Sequence, residues 1–166
     1  MDCHTAYKKL VSSDIFKKWR GENSEAYLSH LFGETDEQLE IGPWQIGYYD
    51  READKIITFV AGSDIEQMPA EEVFKKEGIV QELEFEKVKV SEKEAMNAAI
   101  RLQKKKYPQH PIMKGIVILQ RLDRIVWNVT FITASFAALN IKIDAVKGDI
   151  VKDGLNTFFD MTHTPQ

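Results

Sequence analysis

Cys3 and His4 are adjacent, and a thiol beside an imidazole is the pairing that a cysteine nucleophile uses. A catalytic thiol also needs a fixed base and a lowered pKa, which the first residues of a chain rarely provide. We therefore predict a structural role for Cys3. The remaining histidines, His30, His110 and His163, stand at no spacing that is typical of a zinc site. The sequence thus predicts no catalytic, cofactor-binding or metal-binding residue among them.

Two groups of carboxylates fall in predicted turns. One contains Asp50, Glu52 and Asp54, and the other contains Asp144 and Asp149. A calcium loop needs more oxygen ligands at fixed spacing and usually ends with a bidentate Glu. Asp side chains also form turns by accepting hydrogen bonds from nearby backbone amides, and we interpret both groups in this way. The isolated glycines precede no helix, which argues against a phosphate-binding loop.

Composition narrows the class of protein. A length of 166 residues suits one domain or two small modules, and the single cysteine excludes an intrachain disulfide. No apolar run is long enough to cross a membrane. The charged N-terminus is not followed by the apolar stretch of a signal peptide, so we expect none. We therefore expect no membrane association and a cytoplasmic location. The net charge is -4, and the densest basic run lies at the end of a predicted helix, where it meets the helix dipole. We therefore expect no nucleic-acid partner.

The second half has a clear order of elements. A capping box at Ser91 and Glu94 predicts a helix over residues 92 to 107, which Pro108 ends. Alternating apolar residues then predict three strands: 114–121, 125–133 and 139–144. Asp144 opens a turn after the third strand, and Gly148 supplies a residue that tolerates positive φ.

The first half repeats this order. A helix is predicted over residues 4 to 20, followed by strands at 26–32, 44–49 and 55–61. Trp44 matches Trp127 at an offset of 83, and the next strand matches at an offset of 84. This pattern predicts a duplicated helix-plus-three-strand unit. The predicted domains are 1–66 and 91–166, joined by residues 67–90, which hold a short helix from Pro69 to Gly78 and a bent extended segment.

Three landmarks in the second half resemble the PepSY domain family in order and spacing. They are Val90-Ser91-x-x-Glu94-Ala95, Trp127-x-Val129, and Ile141-x-Ile143-Asp144-Ala145-x-x-Gly148-x-Ile150, and together they cover about residues 88 to 151. The resemblance implies an α+β fold similar to cystatins, with a helix packed on an antiparallel sheet, and a binding or inhibitory role. The chain departs from the family because it shows no export signal. The first half departs as well, since the offset of 84 places Asp64 where Gly148 would be.

We therefore predict a non-enzymatic module that binds a protein or peptide through one sheet face or a strand edge. Strand alternation places the candidate contacts on the less apolar face, namely Gln45, Tyr49, Asn128, Thr130, Asn140 and Lys142, with Gln120 as a further neighbour. The alternative is an enzyme or small-ligand-binding protein with a pocket between helix and sheet. A third hypothesis is a homodimer formed by a sheet edge or by the segment Phe158-Phe159-Asp160-Met161.

Overall fold

The computed structural model describes residues 1–73 and 79–157 as three α-helices on one face of an antiparallel sheet, which confirms the α+β class. The helices are α1 (Cys3–Ser12), α2 (Asp14–Glu22) and α3 (Glu92–Lys106), with one 3₁₀ turn at Phe85–Lys87. The strands are β1 (Tyr27–Glu34), β2 (Trp44–Asp50), β3 (Lys55–Ala61), β4 (Ile65–Gln67), β5 (Glu71–Glu72), β6 (Ile112–Arg121), β7 (Ile125–Thr133), β8 (Ala137–Asp144) and β9 (Ile150–Thr157).

The N-terminal helix is interrupted, which corrects the prediction of one helix over residues 4 to 20. Ser13 has an extended backbone, with ψ at 147°, and its hydroxyl accepts a hydrogen bond from Phe16 N at 3.3 Å. A serine that caps the next helix cannot also continue the previous one, so the chain turns between α1 and α2. In contrast, the capping box of Ser91 and Glu94 is present and starts α3 as predicted.

The connection between the halves also differs from its prediction. Within residues 69–73 the structure has the short strand β5 and no helix, and the rest of the predicted helix lies outside the described residues. Residues 79–90 are extended and bend at the 3₁₀ turn, as predicted.

Strand β9 was not predicted, because its eight residues lack a clear alternation of apolar and polar side chains.

All strands belong to one sheet with the order β4-β3-β2-β1-β6-β7-β8-β9, and β5 also pairs with β3. The two halves therefore meet where β1 pairs with β6, in antiparallel register. The strands of each half follow outward from this contact in the same succession. The division into domains at 1–66 and 91–166 stays a prediction, since the sheet runs through both.

The helices cover one face of the sheet and bury the core against it. Trp44 and Trp127 are fully buried there, with their ring centroids 6.1 Å apart. Each indole N–H donates to the carbonyl of the residue just before a helix cap: Trp44 to Met1 at 3.1 Å, and Trp127 to Val90 at 2.8 Å. The same contact thus fixes a helix start to the sheet in each half.

The pairing register corrects part of the internal alignment. Trp44 pairs with Ala61, whereas Trp127 pairs with Ile143. When the two tryptophans are matched, Ala61 therefore corresponds to Ile143 and not to Ala145, as the offset of 84 required. The parity is unchanged by this shift of two residues, so the same side chains still face the core.

Candidate functional site: the open face of the sheet

We call the face of the sheet that points away from the helices the open face. In β6, Val117 and Leu119 are fully buried against the helices, whereas Ile116 and Ile118 alternate with them and are only partly buried. Residues that are directly opposite in neighbouring strands lie on the same side of a sheet. The register therefore identifies the open face on every strand.

One row of side chains crosses the open face from edge to edge, and we call it the transverse row. Its centre is the pair Phe32 and Ile118, which joins the two halves. The complete row, in strand order, is Glu66, Val60, Gln45, Phe32, Ile118, Asn128, Lys142 and Lys152. It places an apolar pair at the centre, a carboxamide on either side, a carboxylate at one edge and two ammonium groups at the other.

Four of the six predicted contacts form one hydrogen-bonded cluster, the polar ladder: Asn128, Thr130, Asn140 and Lys142. Asn140 is at its centre, because its Nδ2 donates to Asn128 Oδ1 at 2.7 Å and to Thr130 Oγ1 at 3.0 Å. Lys142 Nζ donates to Asn140 Oδ1 at 3.0 Å. Lys142 uses one of its three donors in this way, so the ladder holds a positive charge in place while leaving donors for a ligand.

The other two predicted contacts are separate from the ladder. Gln45 is exposed and belongs to the transverse row, but it is three strands from Asn128, or about 14 Å. Tyr49 lies on the open face as predicted, yet it is only 1% exposed because it packs edge to face on Tyr27. Its hydroxyl donates to Asp54. Tyr49 therefore supports the sheet and offers little surface to a partner.

Sequence reasoning missed His30, which lies on the open face opposite Gly47. A Cβ atom at Gly47 would come within 2.3 Å of the His30 ring, so the ring needs a glycine beneath it. Burial lowers the pKa of His30, and the ring accepts or donates a hydrogen bond with Ser29 Oγ at 2.7 Å. A lone glycine inside a strand is the signal that could have revealed this close approach.

His30 also borders a shallow depression of about 340 Å³ that Gln45, Phe32 and Glu72 help to line. Ser29 is 5% exposed and also donates to Gly47 O at 3.2 Å, so its hydroxyl is not presented to a substrate. His30 lines the depression, whereas its hydrogen-bond partner Ser29 does not.

Cys3 lies on the opposite side of the sheet, in the core. It is fully buried, and its thiol donates to Glu92 Oε2 at 3.2 Å. Burial, and then the Glu92 carboxylate, raise the pKa of this thiol far above its ordinary value. The protonated thiol is a poor nucleophile, and this geometry fits the structural role predicted for it.

In the second turn, the Asp144 carboxylate forms the turn as predicted, whereas Asp149 takes part through its backbone carbonyl, which accepts from Asp144 N at 2.8 Å. Asp144 Oδ1 accepts from Val146 N at 2.8 Å and from Lys147 N at 2.9 Å, and Gly148 has a φ of 87°. Burial acts to raise the pKa of Asp144, but these amides and Arg124 together hold it below its ordinary value.

In residues 1–73 and 79–157, no cluster of three or more His, Cys, Asp or Glu side chains is arranged to hold a metal ion. His163 lies outside those residues.

A second concavity lies on the helix side, between the N-termini of α1 and α3 and the loop before β2. Its volume is about 580 Å³, and its lining includes Leu39, Ile41, Glu92, Met96 and Ile100. The size is within the range of small-molecule sites. Glu92 is already bonded to Cys3, and its side chain contributes to the wall of the groove.

Comparisons with known proteins bear on the fold alone. No protein-family model matches the sequence, and no curated protein matches it. A crystal structure described as a putative lipoprotein from Clostridium difficile 630 is similar, with a TM-score of 0.54 and 14% identity. The match covers 86% of this chain and 91% of that chain, so the likeness extends over nearly the whole fold. No helix in the described part of the chain combines the length and apolar character needed to cross a membrane.

Proposed function

We propose that this protein is a non-enzymatic module that binds another protein or a peptide through the open face, at the polar ladder and the neighbouring edge strand β9. The observation that supports this most strongly is the polar ladder itself. Four polar side chains are fixed to one another on a sheet face that no helix of the described chain covers. Side chains that are held in place lose less entropy when a partner binds.

The neighbourhood of the ladder suits a protein partner better than a small metabolite. Ile116 and Ile118 lie beside Thr130 and Asn128 in the register, so the surface combines apolar area with fixed hydrogen-bonding groups. Protein interfaces commonly have this composition, with an apolar centre and a polar surround. The surface is broad and open, whereas small ligands are usually enclosed in deep pockets.

We also propose that the fold consists of two PepSY-like or cystatin-like units, derived by duplication and joined through β1 and β6. In its favour, Trp44 and Trp127 make the same hydrogen bond to the residue before a helix cap. The binding role that the PepSY resemblance implies agrees with an open sheet face, and the cytoplasmic location stays a prediction.

The alternative is a small-ligand-binding protein or an enzyme, and the helix-side groove is the observation that favours it. Its volume of about 580 Å³ and its mixed apolar and acidic lining could hold a compact ligand. Asn97 lines this groove and is exposed, as is Gln38. These two residues therefore provide a matched probe of the alternative.

Affinity capture from native lysate, followed by quantitative mass spectrometry, tests the proposal with two variants. Asn128→Glu/Asn140→Glu adds two negative charges on the open face, and Asn97→Glu/Gln38→Glu adds two on the helix side. Circular dichroism and a thermal melt first establish that both variants are folded. We expect the open-face variant to recover at least tenfold less of its specific partner than the wild type does, which corresponds to a loss of about 1.4 kcal/mol of binding free energy. Equal recovery by the wild type and the open-face variant would contradict the proposal, and loss only in the helix-side variant favours the alternative.

A further inference from the structure

Two lysines of the transverse row lie directly opposite each other on neighbouring strands. Lys142 in β8 pairs with Lys152 in β9, and both side chains are on the open face. Like charges in this position destabilise a sheet. Among the residues that the structure describes, no carboxylate is within ion-pair distance of either lysine. The repulsion between them is therefore uncompensated within this part of the chain.

Protection of the sheet edge explains only one of the two lysines. A lysine on an edge strand discourages unwanted pairing, and Lys152 is on such a strand. Lys142 is on the strand inside the edge, and its ammonium group is fixed by Asn140 at 3.0 Å. An internal lysine that is held beside a second lysine favours a partner that brings negative charge.

Strand β9 offers the backbone groups that such a partner could use. It spans eight residues at the end of the sheet and, in the described chain, pairs with β8 alone. The opposite end of the sheet is built from β4 and β5, which have three and two residues. An added strand is therefore better accommodated along β9 than along the opposite edge.

We propose that the partner is an extended, acidic segment of another protein that adds to the sheet beside β9, in antiparallel register. This inference rests on the proposed function and specifies the partner's chemistry. A carboxylate opposite Lys152 would extend the transverse row on the open face. On the helix side the partner's residue opposite Leu155, which is partly buried, would be apolar. Read in the partner's own direction, the pattern is an apolar residue followed three positions later by Asp or Glu.

A second copy that pairs through its own β9 does not fit the same position. In an antiparallel pair of β9 strands that continues the sheet, Lys152 must face a residue on the open face of the other copy. The open-face residues of β9 are Lys152, Gly154 and Asn156, since Asp153 and Leu155 pair with the core-facing residues Ile141 and Leu139. Asp153 is also bonded to Lys106 at 2.8 Å on the helix side. Self-pairing through the described residues of β9 therefore places no carboxylate opposite Lys152.

Fluorescence anisotropy with the full chain tests this partner chemistry. The probe is a labelled, end-blocked heptapeptide, Thr-Gln-Val-Thr-Thr-Glu-Thr, which places valine opposite Leu155 and glutamate opposite Lys152. One control peptide replaces the glutamate with lysine, and another moves the valine by one residue, onto the other face. The protein variants are Lys152→Glu and, as a matched charge reversal elsewhere on the open face, Lys114→Glu.

We expect the wild type and Lys114→Glu to prefer the acidic peptide by about tenfold over both controls, and Lys152→Glu to prefer the lysine peptide instead. Absence of binding, equal binding of all three peptides, or a preference that Lys152→Glu leaves unchanged would each overturn the inference. So would a change in oligomeric state with Lys152→Glu by light scattering, which would identify a second copy as the occupant. The proposed function fails separately, since it depends on whether Asn128→Glu/Asn140→Glu changes the captured proteins.

Discussion

Cys3 and Glu92 are the first residues of α1 and α3, and they contact each other in the core: Glu92 Oε1 accepts from Cys3 N at 2.9 Å, and Glu92 Oε2 accepts from the Cys3 thiol at 3.2 Å. One carboxylate thus joins the N-termini of two helices that belong to different halves of the chain. The contact also fixes the position of the only thiol.

We predict that raising the pH destabilises the wild type through Cys3. Burial and the Glu92 carboxylate raise the pKa of the folded thiol, whereas the unfolded thiol ionises near its ordinary value of 9.0. The contribution of the protonated thiol is fully present below that pH and is lost above it, by at most about 1.4 kcal/mol per pH unit. Urea unfolding between neutral pH and pH 10 measures it. Cys3→Ala should lack this component of the slope, and equal slopes for both proteins would contradict the prediction.

Replacing Trp127 with phenylalanine should be strongly destabilising. The indole is fully buried and donates to Val90 O at 2.8 Å, so Trp127→Phe leaves both a void and an unpaired carbonyl. We expect the free energy of unfolding to fall by about 3 kcal/mol. Trp19→Phe is the control, because Trp19 is also buried, at 7% exposed, but its indole makes ring contacts and, within the described residues, no hydrogen bond like that of Trp127. Chemical denaturation should show a clearly smaller loss for the control.

Gly148 should be far less tolerant of alanine than Gly154. Gly148 has a φ of 87°, which a Cβ atom makes unfavourable, and Gly154 has no atom within 4 Å of an added Cβ. We expect Gly148→Ala to reduce stability by about 1–2 kcal/mol and Gly154→Ala to change it by less than about 0.5 kcal/mol. Thermal melts of the two variants measure this difference. Similar melting temperatures would show that the turn does not require positive φ.

Acid should weaken the turn that Asp144 forms. Its pKa is held below the ordinary value of 3.8, although burial opposes this, because two backbone amides and Arg124 stabilise the carboxylate. The resulting stability is present above about pH 4 and is lost as the pH falls through the lower folded pKa. Unfolding experiments between pH 6 and pH 3 should show that Asp144→Asn loses less stability than the wild type does. A parallel decline would rule out this role.

The elements that were predicted well are those whose signal is local. The capping box at Ser91, the alternation around Trp127 and the turn at Asp144 each depend on residues close in sequence, and the structure has all three. The break at Ser13 was missed because one serine can end one helix or begin another, and the apolar spacing continues through it. Strand β9 was missed because none of its side chains is fully buried on either face, so its sequence shows little alternation of apolar and polar residues.

The candidate site could be predicted only in part. Parity placed Asn128, Thr130, Asn140 and Lys142 on one face, but it could not show that Asn140 bonds to the other three. Parity also placed Tyr49 there without revealing its burial, because Tyr27 comes from a different strand. The opposition of Lys142 and Lys152 was out of reach, since it depends on the register of a strand that was not predicted.

Photo-crosslinking tests most directly whether partners bind the open face. A benzoylphenylalanine probe would replace Ile116 or Ile132 on the open face and, in separate proteins, the exposed Lys104 or Lys105 on α3. Irradiation in native lysate should yield a discrete adduct with the same partner from both open-face probes and none from the α3 probes. Adducts that form equally from both sides, or only from α3, would contradict the assignment of the open face as the binding surface.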